Sequence, residues 1–144
     1  MSRVDFYLLQ SQDAHTRRLV TCRLIEKAYK QGHTVFLKTG SEEETRTMDD
    51  LLWTFRQGSF LAHEIYVSGE PHAPIMLGHG IIPPAMHDVL VNLDSHVPKE
   101  YGRFDRVAEL IDQDGGTKEM GRKRYRVYQD AGHAITTHQL DAGA

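Results

Sequence analysis

Strand-like and helix-like segments alternate along this chain, and this alternation limits the possible folds more than any other feature of the sequence. Runs rich in branched and aromatic residues predict strands at residues 4–9, 34–38, 62–67, 74–77, 88–93 and 133–140. Apolar residues at helical spacing predict helices over residues 14–31 and 42–55. The basic segment 117–131 is interpreted as a third helix. Because strands that alternate with helices form helix-covered sheets, we predict an α/β fold with a mostly parallel mixed sheet flanked by helices.

Local signals support the limits of two of these helices. Gly32 and Gly58 follow the first and second helical patterns, and glycine is a typical helix-stop residue. Ser41 precedes the second helix and Glu44 stands three residues later, which is the spacing of a capping box. On its residues alone, the segment 106–111 (RVAELI) is compatible with either a strand or a helix.

A length of 144 residues predicts a single domain, residues 1–144, with room for a substantial core. The single cysteine, Cys22, excludes an internal disulfide, and its place on the apolar side of a helix predicts a buried thiol. We find neither a membrane-spanning apolar run nor a signal-peptide pattern, so we expect a cytoplasmic protein. The net charge of −3 argues against general nucleic-acid binding, which depends on phosphate neutralisation.

The turns between strands and helices lack the residues of a phosphate-binding loop. Such a loop needs glycines and a Lys-Ser/Thr pair where a strand leads into a helix. The first turn, QSQDAHT, has no glycine, and the second, TGSEEE, carries three glutamates that would repel phosphate. The sequence Gly78-His79-Gly80 leads into prolines rather than a helix. We therefore expect no nucleotide cofactor.

Catalytic and metal-binding patterns are also missing. Four of the nine histidines fall in the irregular middle of the chain: His63, His72, His79 and His87. Their spacing does not match that of ligands on one helix face, so we expect surface loop histidines and no metal. The serines lack the Gly-x-Ser-x-Gly context of a nucleophile. The residues therefore predict a protein without a catalytic site.

Residues 117–132 concentrate positive charge in a protein whose overall charge is negative. If the segment is helical, one stripe combines three cations with an aromatic ring: Lys118, Arg122, Tyr125 and Arg126. Guanidinium groups beside a flat ring suit a carboxylate-rich partner that also brings an apolar group. The alternative interpretation is an ordinary solvated helix face.

Trp53 lies on the side of the second predicted helix that faces away from the core. It projects about 150° from the centre of the apolar stripe formed by Met48, Leu51, Leu52 and Phe55. Phe60 stands seven residues further on, past a Gly-Ser turn. Exposed aromatic residues of this kind favour protein–protein interfaces. The alternative is that a neighbouring loop covers Trp53.

The order and spacing of several blocks carry a family resemblance. They are the strand FYLL near the start of the sequence, the block LLWTFRQGSFLAH, the strand VLVNL and the helix end RYRVYQDAG. In these features the chain resembles the chi subunit of bacterial DNA polymerase III, and the likeness runs from Val4 to about Leu140.

The resemblance implies a Rossmann-like three-layer fold, with residues 106–111 as a strand, and a non-enzymatic accessory protein of the clamp loader. It also implies two partners. One is the psi subunit, whose contacts match Trp53 and Phe60 by position. The other is the acidic C-terminal tail of the single-stranded DNA-binding protein, whose site matches Arg122, Tyr125 and Arg126, beside Lys118 of the same stripe.

Two alternative functions remain open at this point. The first is an adaptor that recruits a repair helicase through the same aromatic surface. The second, from a different class, is a small α/β enzyme that handles nucleotides. Stabilisation of the protein by nucleotides in a thermal melt would support the second.

Overall fold

One parallel sheet forms the centre of the molecule. A computed structural model describes residues 2–140, and over that range the sheet has seven strands. They are β1 (Arg3–Leu9), β2 (Val35–Lys38), β3 (His63–Ile65), β4 (Ile75–Gly78), β5 (Val89–Asn92), β6 (Arg106–Ile111) and β7 (Ile135–Leu140). Their order is β3-β4-β2-β5-β6-β1-β7, and every neighbouring pair is parallel. β3 and β7 are therefore the two edges.

Three α-helices connect the strands: α1 (Ala14–Lys30), α2 (Glu42–Thr54) and α3 (Gly115–Asp130). Each begins at a side chain that accepts a hydrogen bond from a free backbone N–H of the first turn, namely Asp13, Ser41 and Asp114. The Glu44 carboxylate accepts from the Gly40 N–H at 2.8 Å. This bond lies one residue outside the predicted capping box, which would have used the Ser41 N–H.

The helices lie on opposite faces of the sheet. On one face, α1 and α2 bury Ile25 and Leu52 against strand residues that include Leu37. On the other face, α3 and the loops before β5 and β6 bury Tyr128 against strand residues that include Phe6. The structure thus confirms the three-layer α/β fold predicted from the alternation of elements, and the sheet is wholly parallel instead of mixed.

The observed limits of three elements differ from the predicted ones or settle an ambiguous prediction. Residues 62–67 contribute only the three-residue β3, while the ambiguous segment Arg106–Ile111 is the strand β6. A helix over residues 117–131 was predicted, and α3 begins two residues earlier, at Gly115. Asp114, which caps it, sets that start because its carboxylate accepts from the Thr117 N–H at 3.0 Å.

A buried ion pair joins α3 to the sheet. The Glu109 carboxylate on β6 is fully buried and accepts from Arg124 Nε at 2.9 Å. It also accepts from Tyr128 Oη at 2.7 Å and from Asn92 Nδ2 at 2.9 Å. Burial raises the pKa of the Glu109 carboxyl, and the neighbouring guanidinium and the other donors oppose that shift. Both carboxylate oxygens accept hydrogen bonds, so the ion pair fixes the position of α3 relative to β6.

Among residues 2–140, none of the helices combines the length and the apolar composition needed to cross a membrane.

Candidate functional site

A cavity of about 330 Å³ opens between α3 and the strands β1, β6 and β7. Its apolar lining comes mainly from the sheet, through Phe6, Leu8 and Ile111. Its polar lining combines cations and amides: Lys118, Arg122, Gln113 and Gln139. An apolar pocket with cations at its margin suits a ligand that carries both an apolar group and carboxylates.

Close packing of α3 on β6 shapes this cavity. A Cβ atom at Gly121 would lie 2.7 Å from Ile111 Cδ1, so a larger residue would require the Ile111 side chain to move. Tyr125, one turn later on the same stripe, packs edge-on against Phe6 with ring centroids 5.2 Å apart. The half-buried Tyr125 ring therefore forms one wall of the cavity.

The structure brings together three of the four residues predicted for the acidic-tail site. Lys118, Arg122 and Tyr125 line the cavity, and Arg126 is exposed one turn beyond Arg122, outside the lining. Lys118 Nζ donates to Gln113 Oε1 at 3.2 Å, and this amide in turn donates to the Leu9 carbonyl at 2.9 Å. Lys118 is thus held at the margin of the cavity.

The positive charge at this cavity is free to meet a ligand. Across the described part of the chain, Arg122, Lys123 and Arg126 take part in no ion pair. Arg124 differs, because it is buried beneath the helix and paired with Glu109 at 2.9 Å. The sequence alone does not separate Arg124 from its solvent-facing neighbours, because its partner is fifteen residues away on β6.

Trp53 and Phe60 form a second surface at the β3 edge of the sheet. Trp53 is 45% exposed and Phe60 is 71% exposed. Their ring centroids lie 5.5 Å apart, and Trp53 also lies 4.1 Å from the ring of His63. Trp53 therefore keeps a large exposed face, as the predicted interface residue would require.

His63 is not the surface loop histidine that the sequence predicted. It lies on β3 and is buried, with Nδ1 2.6 Å from the Leu61 carbonyl and Nε2 3.0 Å from the Asp49 carbonyl. Each of its two ring nitrogens therefore lies within hydrogen-bond distance of a main-chain carbonyl. Its ring packs against that of Trp53. The prediction failed because the groups that bury this ring, Asp49 and Trp53, belong to α2, and the sequence around His63 does not reveal those contacts.

Two further sets of reactive side chains lie outside these two surfaces. Cys22 is fully buried, and burial raises the pKa of its thiol to about 12, which disfavours the reactive thiolate. Within residues 2–140, one side-chain trio has ligand atoms close enough for a metal ion: His87, Asp88 and Asp105. Asp88 already accepts two hydrogen bonds from Thr34 through one oxygen, and these bonds join the start of β5 to the start of β2.

Comparisons with known proteins point to one family. The family model described as DNA polymerase III chi subunit, HolC, matches residues 1–136. The DNA polymerase III subunit chi of Pseudomonas aeruginosa is 36% identical over 140 residues, which is 97% of this chain and 98% of that protein. The subunit chi of Escherichia coli is 23% identical over 144 residues, 95% of this chain and 97% of that protein.

A solved structure shares the fold at low sequence identity. The crystal structure of T4 UvsW superimposes with a TM-score of 0.68 over 96% of this chain and 41% of that chain, at 13% identity. That likeness concerns the fold alone. The family model and the Pseudomonas relative extend over nearly the whole chain, and they confirm the predicted resemblance: the chain belongs to the family of DNA polymerase III chi subunits, which are accessory and not catalytic components of the polymerase holoenzyme.

Proposed function

We propose that this chi-family protein bridges two partners, through one site on α3 and a second site around Trp53. The first partner is the acidic C-terminal tail of the single-stranded DNA-binding protein, and the second is the psi subunit of DNA polymerase III. One domain, residues 1–144, would carry both sites. The observation that carries the proposal is the apolar cavity beside α3 with unpaired cations at its margin.

The α3 cavity offers complementary groups for such a tail. Carboxylates of the tail would accept hydrogen bonds from Arg122 and Lys118, and an apolar terminal side chain would enter the cavity beside Tyr125. Charged hydrogen bonds of this type contribute about 1.5–3 kcal/mol each. Arg126, outside the lining, would receive acidic residues that precede the terminal one.

The aromatic surface suits a partner of different chemistry. Trp53 and Phe60 offer a contiguous exposed apolar face, and tryptophan is enriched among residues that dominate interface energies. α2 carries five acidic residues and one arginine, so an acidic tail would be repelled there. The opposite charges of α2 and α3 would direct the two partners to different sites.

Reversing a charge at the α3 cavity tests the tail site. We expect Arg122→Glu and Arg126→Glu each to weaken binding of a synthetic acidic tail peptide at least about tenfold, since about 1.4 kcal/mol suffices. Calorimetry at low and high salt measures this, and wild-type affinity should fall as salt screens the cations. Lys27→Glu, on the exposed side of α1, is the matched control and should bind normally. Unchanged affinity in both α3 variants would exclude the site.

The two partners should bind at the same time. The sites lie on opposite faces and at opposite edges of a seven-stranded sheet, which spans about 29 Å at a strand spacing of about 4.8 Å. We expect tail-peptide affinity to differ by less than about threefold between the free protein and its psi complex, and linkage requires the same factor for psi. Parallel titrations measure both factors. Displacement of one partner by the other would contradict a bridging role.

A repair helicase is the second candidate for the Trp53 surface, because the same exposed aromatic pair would serve any partner with a complementary apolar group. Competition between psi and such a helicase for the wild-type protein, lost in Trp53→Ala, would support a shared site.

A further inference from the structure

The exposed apolar surface continues beyond Trp53 and Phe60, along the edge of the sheet. A cavity of about 400 Å³ lies between the start of α2 and the end of β3. Its apolar lining comes from Ile65, Val67 and Ile81, of which Val67 is 82% exposed. Its α2 side is formed by Glu42, Thr45 and Arg46. We call this cavity, together with the adjoining edge of β3, the edge groove.

The edge groove and the Trp53 surface share one helix face. Residues 42, 46, 49 and 53 of α2 follow each other at helical spacing, so they lie on one stripe. Arg46 lines the groove, Asp49 contacts His63 of β3, and Trp53 packs against the same histidine. From residue 42 to residue 53 the helix rises about 16 Å, which equals about five residues of extended chain.

The backbone of β3 is free along this groove. Tyr66 N–H donates to the Leu77 carbonyl of the neighbouring strand segment at 2.8 Å, so the main-chain groups of Tyr66 and Glu64 are directed at β4. Because these groups alternate sides along a strand, those of Ile65 and Val67 are directed away from β4, and β3 is the edge strand. Free strand edges beside apolar pockets are a known mode of peptide capture.

Charge identifies the kind of segment that fits. The two elements beside the groove, α2 and β3, carry four acids near it: Glu42, which lines the groove, and Glu43, Asp49 and Glu64. Their one cation is Arg46, which is already paired with Glu42. An acidic segment would be repelled, and a segment with basic residues between its apolar ones would be attracted.

We propose that an extended segment of the partner protein, with apolar residues at alternate positions and lysine or arginine between them, adds as a strand to the free edge of β3. This inference rests on the proposed partner site at Trp53 and extends it by about five residues of backbone pairing. Apolar side chains of the segment enter the groove beside Ile65 and Ile81. Its basic side chains alternate with them, so they lie on the other face of the strand, beside Glu64.

A pair of variants distinguishes the contribution of main-chain pairing to binding from that of the Val67 side chain. Val67→Pro removes the free N–H, and Val67→Thr keeps both the N–H and the shape of the side chain. We expect Val67→Pro to weaken binding of the psi subunit from the same bacterium at least about tenfold, and Val67→Thr to stay within about threefold of wild type. In the wild-type complex, NMR-detected exchange of the Ile65 and Val67 amides should slow at least about tenfold.

The outcomes distinguish this inference from the proposed function. If psi binding depends on Trp53 but Val67→Pro binds normally and both amides stay unprotected, edge pairing is wrong and the Trp53 site stands. If psi does not bind at all, the proposed function fails. A simpler probe then tests whether the edge groove binds a basic extended segment. That probe is the blocked hexapeptide Lys-Val-Lys-Val-Lys-Val.

The hexapeptide should shift the amide resonances of Ile65 and Val67, and the matched peptide with glutamate in place of lysine should leave them unchanged. Equal shifts with both peptides, or none with either, would overturn the inference. Sedimentation of the protein alone tests a different occupant, because dimers abolished by Val67→Pro would mean that two copies pair through β3 and would likewise overturn it.

Discussion

Replacing Arg124 by alanine should lower the free energy of unfolding by about 3–5 kcal/mol, because the fully buried Glu109 carboxylate would lose its charged partner. Asn92 and Tyr128 would still donate to the carboxylate, but neither carries the charge that compensates its burial. Urea denaturation monitored by far-UV circular dichroism measures the loss.

Lys123→Ala is the matched control, since Lys123 is the exposed neighbour of Arg124 on the same helix. We expect its free energy of unfolding to stay within about 0.5 kcal/mol of wild type. The double variant Arg124→Met with Glu109→Leu should recover only part of the stability. It leaves no charge buried, but it removes the carboxylate that accepts the hydrogen bond of the buried Tyr128 hydroxyl. A loss of less than about 1 kcal/mol in Arg124→Ala would show that Glu109 is solvated or protonated in the folded protein.

Trp53→Ala should weaken binding of the psi subunit by about 2–4 kcal/mol, or about 30- to 1,000-fold, because a large aromatic side chain at the centre of an interface would be lost. With 45% of Trp53 exposed, the free protein should lose much less stability than the about 3–5 kcal/mol expected for a core aromatic. Surface plasmon resonance and thermal melting measure the two effects separately.

The control for this variant is Val127→Ala, which removes an exposed apolar side chain from α3, on the opposite face of the sheet. We expect it to bind psi normally. A collapse of the melting temperature in Trp53→Ala would assign Trp53 to the core, and normal psi binding by a folded Trp53→Ala would remove it from the proposed interface.

Patterns that repeat over many residues predicted the elements of this fold. α1 has seventeen residues and α2 has thirteen, so their apolar spacing is distinct from strand spacing. β3 has three residues, too few to show a period, and it was therefore overestimated as residues 62–67. The parallel direction of every strand follows from how the crossovers connect them, which local patterns do not encode.

The candidate site was predictable only where it lies on one helix. Helical spacing places Lys118, Arg122 and Tyr125 on one stripe, and these residues do line one cavity. The same spacing adds Arg126, which lies outside the lining. The depth of the cavity depends on Phe6 and Leu8, more than a hundred residues away in sequence, so no local pattern could reveal it. Arg124 illustrates the same limit, because only tertiary contacts distinguish a buried cation from an exposed one.

The position of β1 in the sheet has a consequence for the order of folding during synthesis. The neighbours of β1 in the sheet are β6 and β7, where Val4 is in register with Val107 and Ile135. β1 therefore has no neighbouring strand until residues about a hundred positions later have been synthesised. Contacts of such sequence separation close large loops and slow the folding reaction. A nascent chain therefore exposes the apolar face of β1 until the ribosome has released β6. The cavity on α3, which β1 and β7 line, is assembled in this last step, so unfinished chains should not capture an acidic tail.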